Sequence, residues 1–166
     1  MLIRREVPGD VDAIRAVTEA AFAFRPQGEW QLVDWLRADE GWIPPLSMVA
    51  VVDGDVAGHV VCTRGTVGGE PALGLGPLSV VPAHQRSGVG KALMHAVLGA
   101  ADALGEPVVV LLGDPKYYSR FGFQLAAEVG VEPTVAEWGP YFQVRLLSAY
   151  DGQRGTFRYA EPFDRL

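Results

Sequence analysis

Cysteine is nearly absent from the 166 residues: the one thiol, Cys62, has no partner within the chain. That excludes a disulfide-stapled fold, fits a reducing compartment and makes the cytoplasm the expected location. Long apolar runs are missing as well. No stretch approaches the ~18 uninterrupted apolar residues of a membrane span. The opening Met1-Leu2-Ile3-Arg4-Arg5-Glu6 meets charge too soon for a secretion signal, so no membrane partner is expected. Basic charge is short: 14 Lys and Arg against 20 Asp and Glu leave a net charge of −6. Nucleic acid is excluded as the main partner, since it needs a broad basic surface, and any anion site has to be small and local. Internal repeats, low-complexity blocks and polar linkers are lacking too, so the sequence reads as one domain over residues 1–166. What the chain has is apolar matter, 49% of its residues, enough for a core without metals or disulfides as staples.

Leu2 to Arg5 has the character of a short strand, and Pro8-Gly9-Asp10 follows as a turn ending in an N-cap residue. Ile14, Val17 and Ala21 repeat at helical spacing, and Phe22 to Gly28 reads as loop. Leu32, Val33 and Leu36 give a second helix, over Glu29 to Arg37, one apolar face. Met48 to Val52 and Val56 to Cys62 flank Asp53-Gly54, a strong hairpin signal. A Gly68-Gly69 turn leads to a strand over Leu73 to Val81, stopped by Pro82 and expected beside the hairpin. Val89, Leu93, Val97, Ala100 and Leu104 mark a long helix ending at Gly105. Val108 to Leu112 is an apolar run suited to a strand buried on both faces. Strand, helix and strand in that order predict a right-handed βαβ crossover. Beyond it the pattern predicts a helical turn over Pro115 to Arg120, strands near Phe123 to Leu125 and Tyr141 to Leu146, and an edge strand over Gly155 to Tyr159.

The segment that carries chemistry is Gln85-Arg86-Ser87-Gly88-Val89-Gly90-Lys91-Ala92, between a strand and the long helix. A nucleoside triphosphate loop needs a glycine where Gln85 stands and a hydroxyl where Ala92 stands, so that motif fails at both ends. A dinucleotide fingerprint needs a third glycine, which is also missing. What remains is physical. Gly88 and Gly90 let backbone pass close to a ligand, and successive amides at a helix N-terminus point at an anion, best a pyrophosphate. Arg86 and Lys91 add charge-assisted contacts, a basic nest in an acidic chain. An ordinary Gly-containing loop between strand and helix would read the same way on this segment alone.

Three segments in register resemble the GCN5-related N-acetyltransferase (GNAT) superfamily: Leu78-Ser79-Val80-Val81-Pro82, Gln85-x-x-Gly88-x-Gly90, and Tyr117-Tyr118-x-x-x-Gly122-Phe123. The Gly113-Asp114-Pro115 lead-in and the Gly155 to Tyr159 tail look most like its YhbS-like bacterial branch. The resemblance implies an α/β fold, a central mixed, twisted sheet of six to seven strands with helices on both faces. It also implies a V-shaped acetyl-CoA slot where the strand Leu73 to Val81 splays from Val108 to Leu112. Backbone of Leu78, Ser79 and Val80 would pair with the pantetheine arm. The amides of Arg86, Ser87, Gly88, Val89, Gly90 and Lys91 would take the pyrophosphate. The co-substrate is then acetyl-CoA, with no metal, and the reaction is direct acetyl transfer to a primary amine of a small molecule or protein. A monomer or homodimer is expected, and a non-catalytic acyl-CoA-binding sensor is the alternative. The family pattern has an asparagine ahead of the tyrosine, where this chain has Asp114-Pro115.

Acetyl transfer needs a neutral amine, an oxyanion donor and a proton for the departing thiolate. The resemblance assigns the oxyanion to a backbone amide near Val80 and the proton to Tyr118. A phenol of pKa ~10 is close enough to a thiol of ~8.5 to donate. Glu29, His59 and His84 are candidate bases. Against them stand a helix-dipole role for Glu29, a core role for His59 and a solvated loop for His84, and water can also serve. Cys62, within Val60-Val61-Cys62, reads as a small buried hydrophobe rather than a nucleophile. The four tryptophans, Trp30, Trp35, Trp42 and Trp138, are candidates to line an acceptor pocket, with core or rim as the reading for most of them, and only Trp30 and Trp35 lie in the segment that the resemblance places on the acceptor side.

Overall fold

Nine strands form one mixed sheet in the computed structural model, which describes residues 1–24 and 26–166. Arg25, part of the loop expected over Phe22 to Gly28, lies outside the described residues. The strands are β1 (Leu2–Arg5), β2 (Trp42–Val52), β3 (Asp55–Val67), β4 (Glu70–Val80), β5 (Val108–Leu112), β6 (Gln124–Leu125), β7 (Val131–Glu132), β8 (Phe142–Leu146) and β9 (Gly155–Arg158). The helices are α1 (Val11–Ala21), α2 (Glu29–Ala38), α3 (Val89–Ala103) and the single turn α4 (Pro115–Tyr118). The main path runs β1-β2-β3-β4-β5-β8-β6, the seven strands at the upper end of the expectation, and β9 and β7 extend it from β3.

Local chemistry explains most elements. Asp53 and Gly54 both have positive φ and close a two-residue turn, with Val52 opposite Asp55, as the hairpin signal requires. α1 buries Ile14, Val17 and Ala21, and α2 buries Leu32, Val33 and Leu36, against one face of the sheet. α3 covers the other face with Val89, Leu93, Met94, Val97, Leu98 and Ala101, packed on Ala50, Val60, Cys62, Leu73 and Val109. The apolar stripe does not reach Leu104, which sits past the last turn and is exposed.

Two readings are corrected. Asp10 does not cap α1; its carboxylate turns back to Arg4 Nη1 at 2.7 Å and to the Val7 N–H at 2.8 Å. The Gly155 segment is not an edge strand. β9 lies between β3 and β7, because β3 is long enough for Thr66 and Val67 to pair with β9 on one side while they pair with β4 on the other.

The feature that positions the site is the β4 to β5 junction. These strands are parallel neighbours at only two positions, Leu73 with Val109 and Gly74 with Val110. Beyond Gly74, β4 bulges: Cys62 opposes Leu75 and Val60 opposes Leu78, so Gly76 and Pro77 share one partner position on β3. From there to Val80 no strand covers the outer edge of β4 among the described residues.

Candidate active site

The open edge of β4 is a wedge-shaped slot, and its backbone groups follow from the ladder. Val81 donates its N–H to the Ala57 carbonyl of β3 at 2.9 Å. By antiparallel alternation Ser79 therefore faces β3, while the N–H and C=O of Leu78 and Val80 face the slot. The Val80 carbonyl is taken by Gln85 Nε2 at 3.0 Å, which ties the end of the strand to the following loop. The Val80 N–H and the Leu78 C=O are left aimed into the slot. Ser79 is separated from its neighbours: its side chain is fully buried under α1 and α2, opposite His59.

The loop from Pro82 to Gly88 is a knot of short bonds. His84 N–H reaches the Val81 carbonyl at 2.9 Å, and the Ser87 hydroxyl donates to the His84 carbonyl. Arg86 at φ 60 and Gly88 at φ 90 both lie in the left-handed region. Such residues turn successive amides to one side and build an anion-binding nest, which here opens onto the N-terminus of α3. Arg86, Ser87, Gly88 and Lys91 are exposed and Val89 is buried beneath them. Both lysines of the chain, Lys91 and Lys116, line one depression with His95, Ser119 and Arg120, so the acidic protein gathers basic groups beside this loop.

Tyr117 and Tyr118, in the turn that follows β5, stand edge to face with centroids 4.9 Å apart. Asp114 accepts the Lys116 N–H at 2.9 Å and so starts α4 from the place where the family pattern has asparagine. Tyr117 lies over the first turn of α3, and Arg120 sits 4.8 Å above its ring. Tyr118 lies against Gly113, at the end of β5, and packs on Phe123. Burial, then the neighbouring Tyr117, pushes the Tyr118 phenol up to about 12.

A cavity of about 690 Å³ opens beside the bulge, lined on the slot side by Leu75, Gly76, Pro77 and Leu112. Its outer wall comes from Phe22, Glu29, Leu32, Trp138, Arg158, Tyr159, Phe163 and Asp164.

This arrangement was compared with known proteins. The model of the Acetyltransferase (GNAT) family matches residues 13–123. The chain belongs to the GNAT family. It is 36% identical over 170 residues to the Escherichia coli K12 protein named uncharacterized N-acetyltransferase YhbS, covering 99% of each chain. The crystal structure of E. coli YhbS in complex with CoA superimposes with a TM-score of 0.92, at 35% identity, over 99% of this chain and 92% of that one. A Brucella melitensis GNAT acetyltransferase in complex with acetyl-CoA gives a TM-score of 0.82 at 39% identity, over 98% and 97%. The GNAT fold, with its mixed sheet covered by helices, is thus the fold of this chain.

Within this GNAT protein the three candidate bases are far from equivalent. Glu29 opens α2 and lines the cavity, its carboxylate accepting the Gln27 N–H at 2.8 Å. His84 sits half-buried in the loop. His59 is sealed in: its Nε2 is 2.8 Å from the Ser47 hydroxyl, which itself bonds to Glu6, and burial lowers its pKa. Cys62 is buried, and desolvation pushes its thiol up, as suits a core residue. Among the described residues no group of three or more His, Cys, Asp or Glu side chains is disposed to hold a metal, and no helix is long and apolar enough to cross a membrane.

The four tryptophans are placed differently, Trp30 beside Phe22 and Glu29 in an adjoining depression. Trp138 lines the cavity, whereas Trp30 does not, and Trp35 packs under the Arg165 guanidinium at 5.4 Å. The sequence reading also missed Gln85 as a clamp on Val80, Tyr117 beside Gly90, and the whole C-terminal wall. The only early signal for that wall is the aromatic density of Phe157, Tyr159 and Phe163.

Proposed function

We propose that the protein is an acetyl-CoA-dependent N-acetyltransferase, one cytoplasmic domain that passes an acetyl group directly to a primary amine. The observation that carries this reading is an open strand edge, Leu78 to Val80, ending at a left-handed loop that turns its amides toward a helix N-terminus. That pairing of a peptide-like edge with an anion nest fits pantetheine and pyrophosphate, and two structural relatives carry CoA or acetyl-CoA. Leu78 and Val80 would hold the pantetheine amides, with Ser79 turned away. Arg86, Ser87, Gly88, Val89, Gly90 and Lys91 would hold the phosphates.

Acetyl-CoA would supply the activated acetyl thioester and leave as the free thiol. The chain's residues do the rest. The Val80 N–H is the preset donor for charge growing on the carbonyl oxygen, in a site where fixed dipoles need no reorganisation. Tyr118 Oη holds its proton throughout the accessible pH range and releases it to the departing sulfur. The burial that raises the phenol raises the basicity of a thiolate in the same slot, so the transfer stays matched. The amine sheds its proton to water, and His59, closed off beneath α1, takes no part.

Acetyl-CoA at ~100 times its dissociation constant is expected to stabilise the fold by about 2.7 kcal/mol. A thermal scan without any shift would remove the reading. An unbiased amine screen with a thiol readout separates the enzyme from a sensor: free thiol must appear with some amine. Tyr118→Phe is expected to bind acetyl-CoA normally and lose on the order of 10² in kcat. Because Tyr118 lies near 12, the wild-type rate should show no fall assignable to this residue below about pH 11.

A further inference from the structure

We infer that the cavity at the mouth of the slot selects linear diamines or polyamines, substrates that carry a second ammonium group separated by methylenes from the amine that is acetylated. The inference rests on the acetyltransferase reading and names its acceptor class.

Three observations point the same way. The first is charge. The lining holds three carboxylates, Glu29, Glu161 and Asp164, against one guanidinium, Arg158. Glu161 is committed to Arg165 at 2.6 Å, while Glu29 and Asp164 have no cationic partner among the described residues. The second is the lining next to the slot, where Leu75, Pro77 and Leu112 offer methylenes an apolar surface. The third is aromatic. Trp138, Tyr159 and Phe163 all line the cavity, Tyr159 with its centroid 4.4 Å from that of Phe163 and 6.5 Å from that of Trp138, so a cation held there has aromatic rings around it. Burial raises the Tyr159 phenol, and its hydroxyl makes no hydrogen bond among the described residues.

The reacting amine cannot be what the carboxylates serve. It has to be neutral when it attacks, and a carboxylate beside it would hold its proton on. Two carboxylates without a cationic partner among the described residues therefore fit a charge that persists through the reaction, a distal ammonium. A substrate carboxylate would find a single guanidinium among anionic neighbours.

The test compares 1,4-diaminobutane and spermidine with n-butylamine and lysine, by thiol release and by calorimetric titration into the full chain. The diamines should exceed n-butylamine in kcat/KM by roughly 10- to 100-fold, the range of one charge-assisted contact, and should bind in the titration. Glu29→Gln and Asp164→Asn should each shrink the diamine-to-monoamine ratio towards one, through KM. Equal use of n-butylamine, preference for lysine, or diamine binding untouched in both variants would overturn the inference. Carboxylate-dependent diamine binding without thiol release from any amine would leave the cavity assignment standing and remove the transferase reading instead.

Discussion

Gly88 and Gly90 are two residues apart in one motif, yet the structure constrains them differently. Gly88 has open space around a built Cβ, and its limit is the backbone, at φ 90. Gly90 is in α3 at an ordinary angle, and its limit is room: a Cβ would sit 3.2 Å from the Tyr117 hydroxyl and 3.7 Å from Val80 Cγ2. The free protein should register this. Gly88→Ala is expected to lose ~1–2 kcal/mol, the cost of a left-handed L-residue. Gly90→Ala trades a helix gain of roughly 0.5–1 kcal/mol against a small shift of Tyr117, and should come out near neutral. Both should weaken acetyl-CoA, the first by spoiling the amide nest and the second by crowding it. Denaturation curves of the two free variants that fall together would show that one constraint, not two, governs the loop.

The junction of β5 with α4 is the element that aims Tyr118, and a single residue sets it. A Cβ on Gly113 would clash with Cε2 and Cδ2 of the Tyr118 ring, so Gly113→Ala should displace the phenol. The expected result is a fall in kcat of the same order as that of Tyr118→Phe, on the order of 10², with acetyl-CoA affinity kept. Full activity in Gly113→Ala would detach Tyr118 from the chemistry. Elements such as β5, α2 and the β2 to β3 hairpin were legible in the sequence because period and turn chemistry are local. The Asp10 side chain was not, since whether it caps α1 depends on Arg4 being in reach from another element. The bulge at Gly76 and Pro77 left only a glycine and a proline as traces, because it exists through the register against β3. The cavity wall was least legible. Trp138, Tyr159 and Asp164 meet Glu29 and Leu75 only after β9 has docked on β3, and no local pattern announces that pairing.

Over the whole molecule, charge is segregated by function. Basic groups collect beside the α3 loop, carboxylates collect at the cavity, and a third set is buried as a structural seam beneath α1 and α2. The seam runs from Arg37 on α2 through Glu6, next to β1, to Ser47 on β2 and His59 on β3. Arg37 Nε is 3.0 Å from Glu6, the Ser47 hydroxyl bonds to Glu6, and Ser47 Oγ is 2.8 Å from His59 Nε2. Ser47 has one proton, and a carboxylate only accepts, so Ser47 donates to Glu6 and His59 donates from Nε2. That leaves His59 Nδ1 without a partner among the described residues, on the residue paired across the ladder with Ser79, whose hydroxyl also lacks one there. Stability should therefore depend on pH in two stages. Burial lowers the His59 pKa from its ordinary value, so its contribution is complete above ~6.5 and is lost as pH falls through the lowered value. Burial raises the Glu6 pKa, but the neighbouring His59, its Nε2 3.8 Å away, and bonds from Arg37 and Ser47 outweigh it and bring it to about 2. Its contribution is complete above ~4.5 and is lost between there and about 2, on the order of 3 kcal/mol in all. Unfolding midpoints measured from pH 7.5 down to pH 3 should fall in both windows. Glu6→Gln should start lower and lose the acid window, and a Glu6→Gln protein whose midpoint still falls steeply below pH 4.5 would assign the acid sensitivity to carboxylates outside the seam.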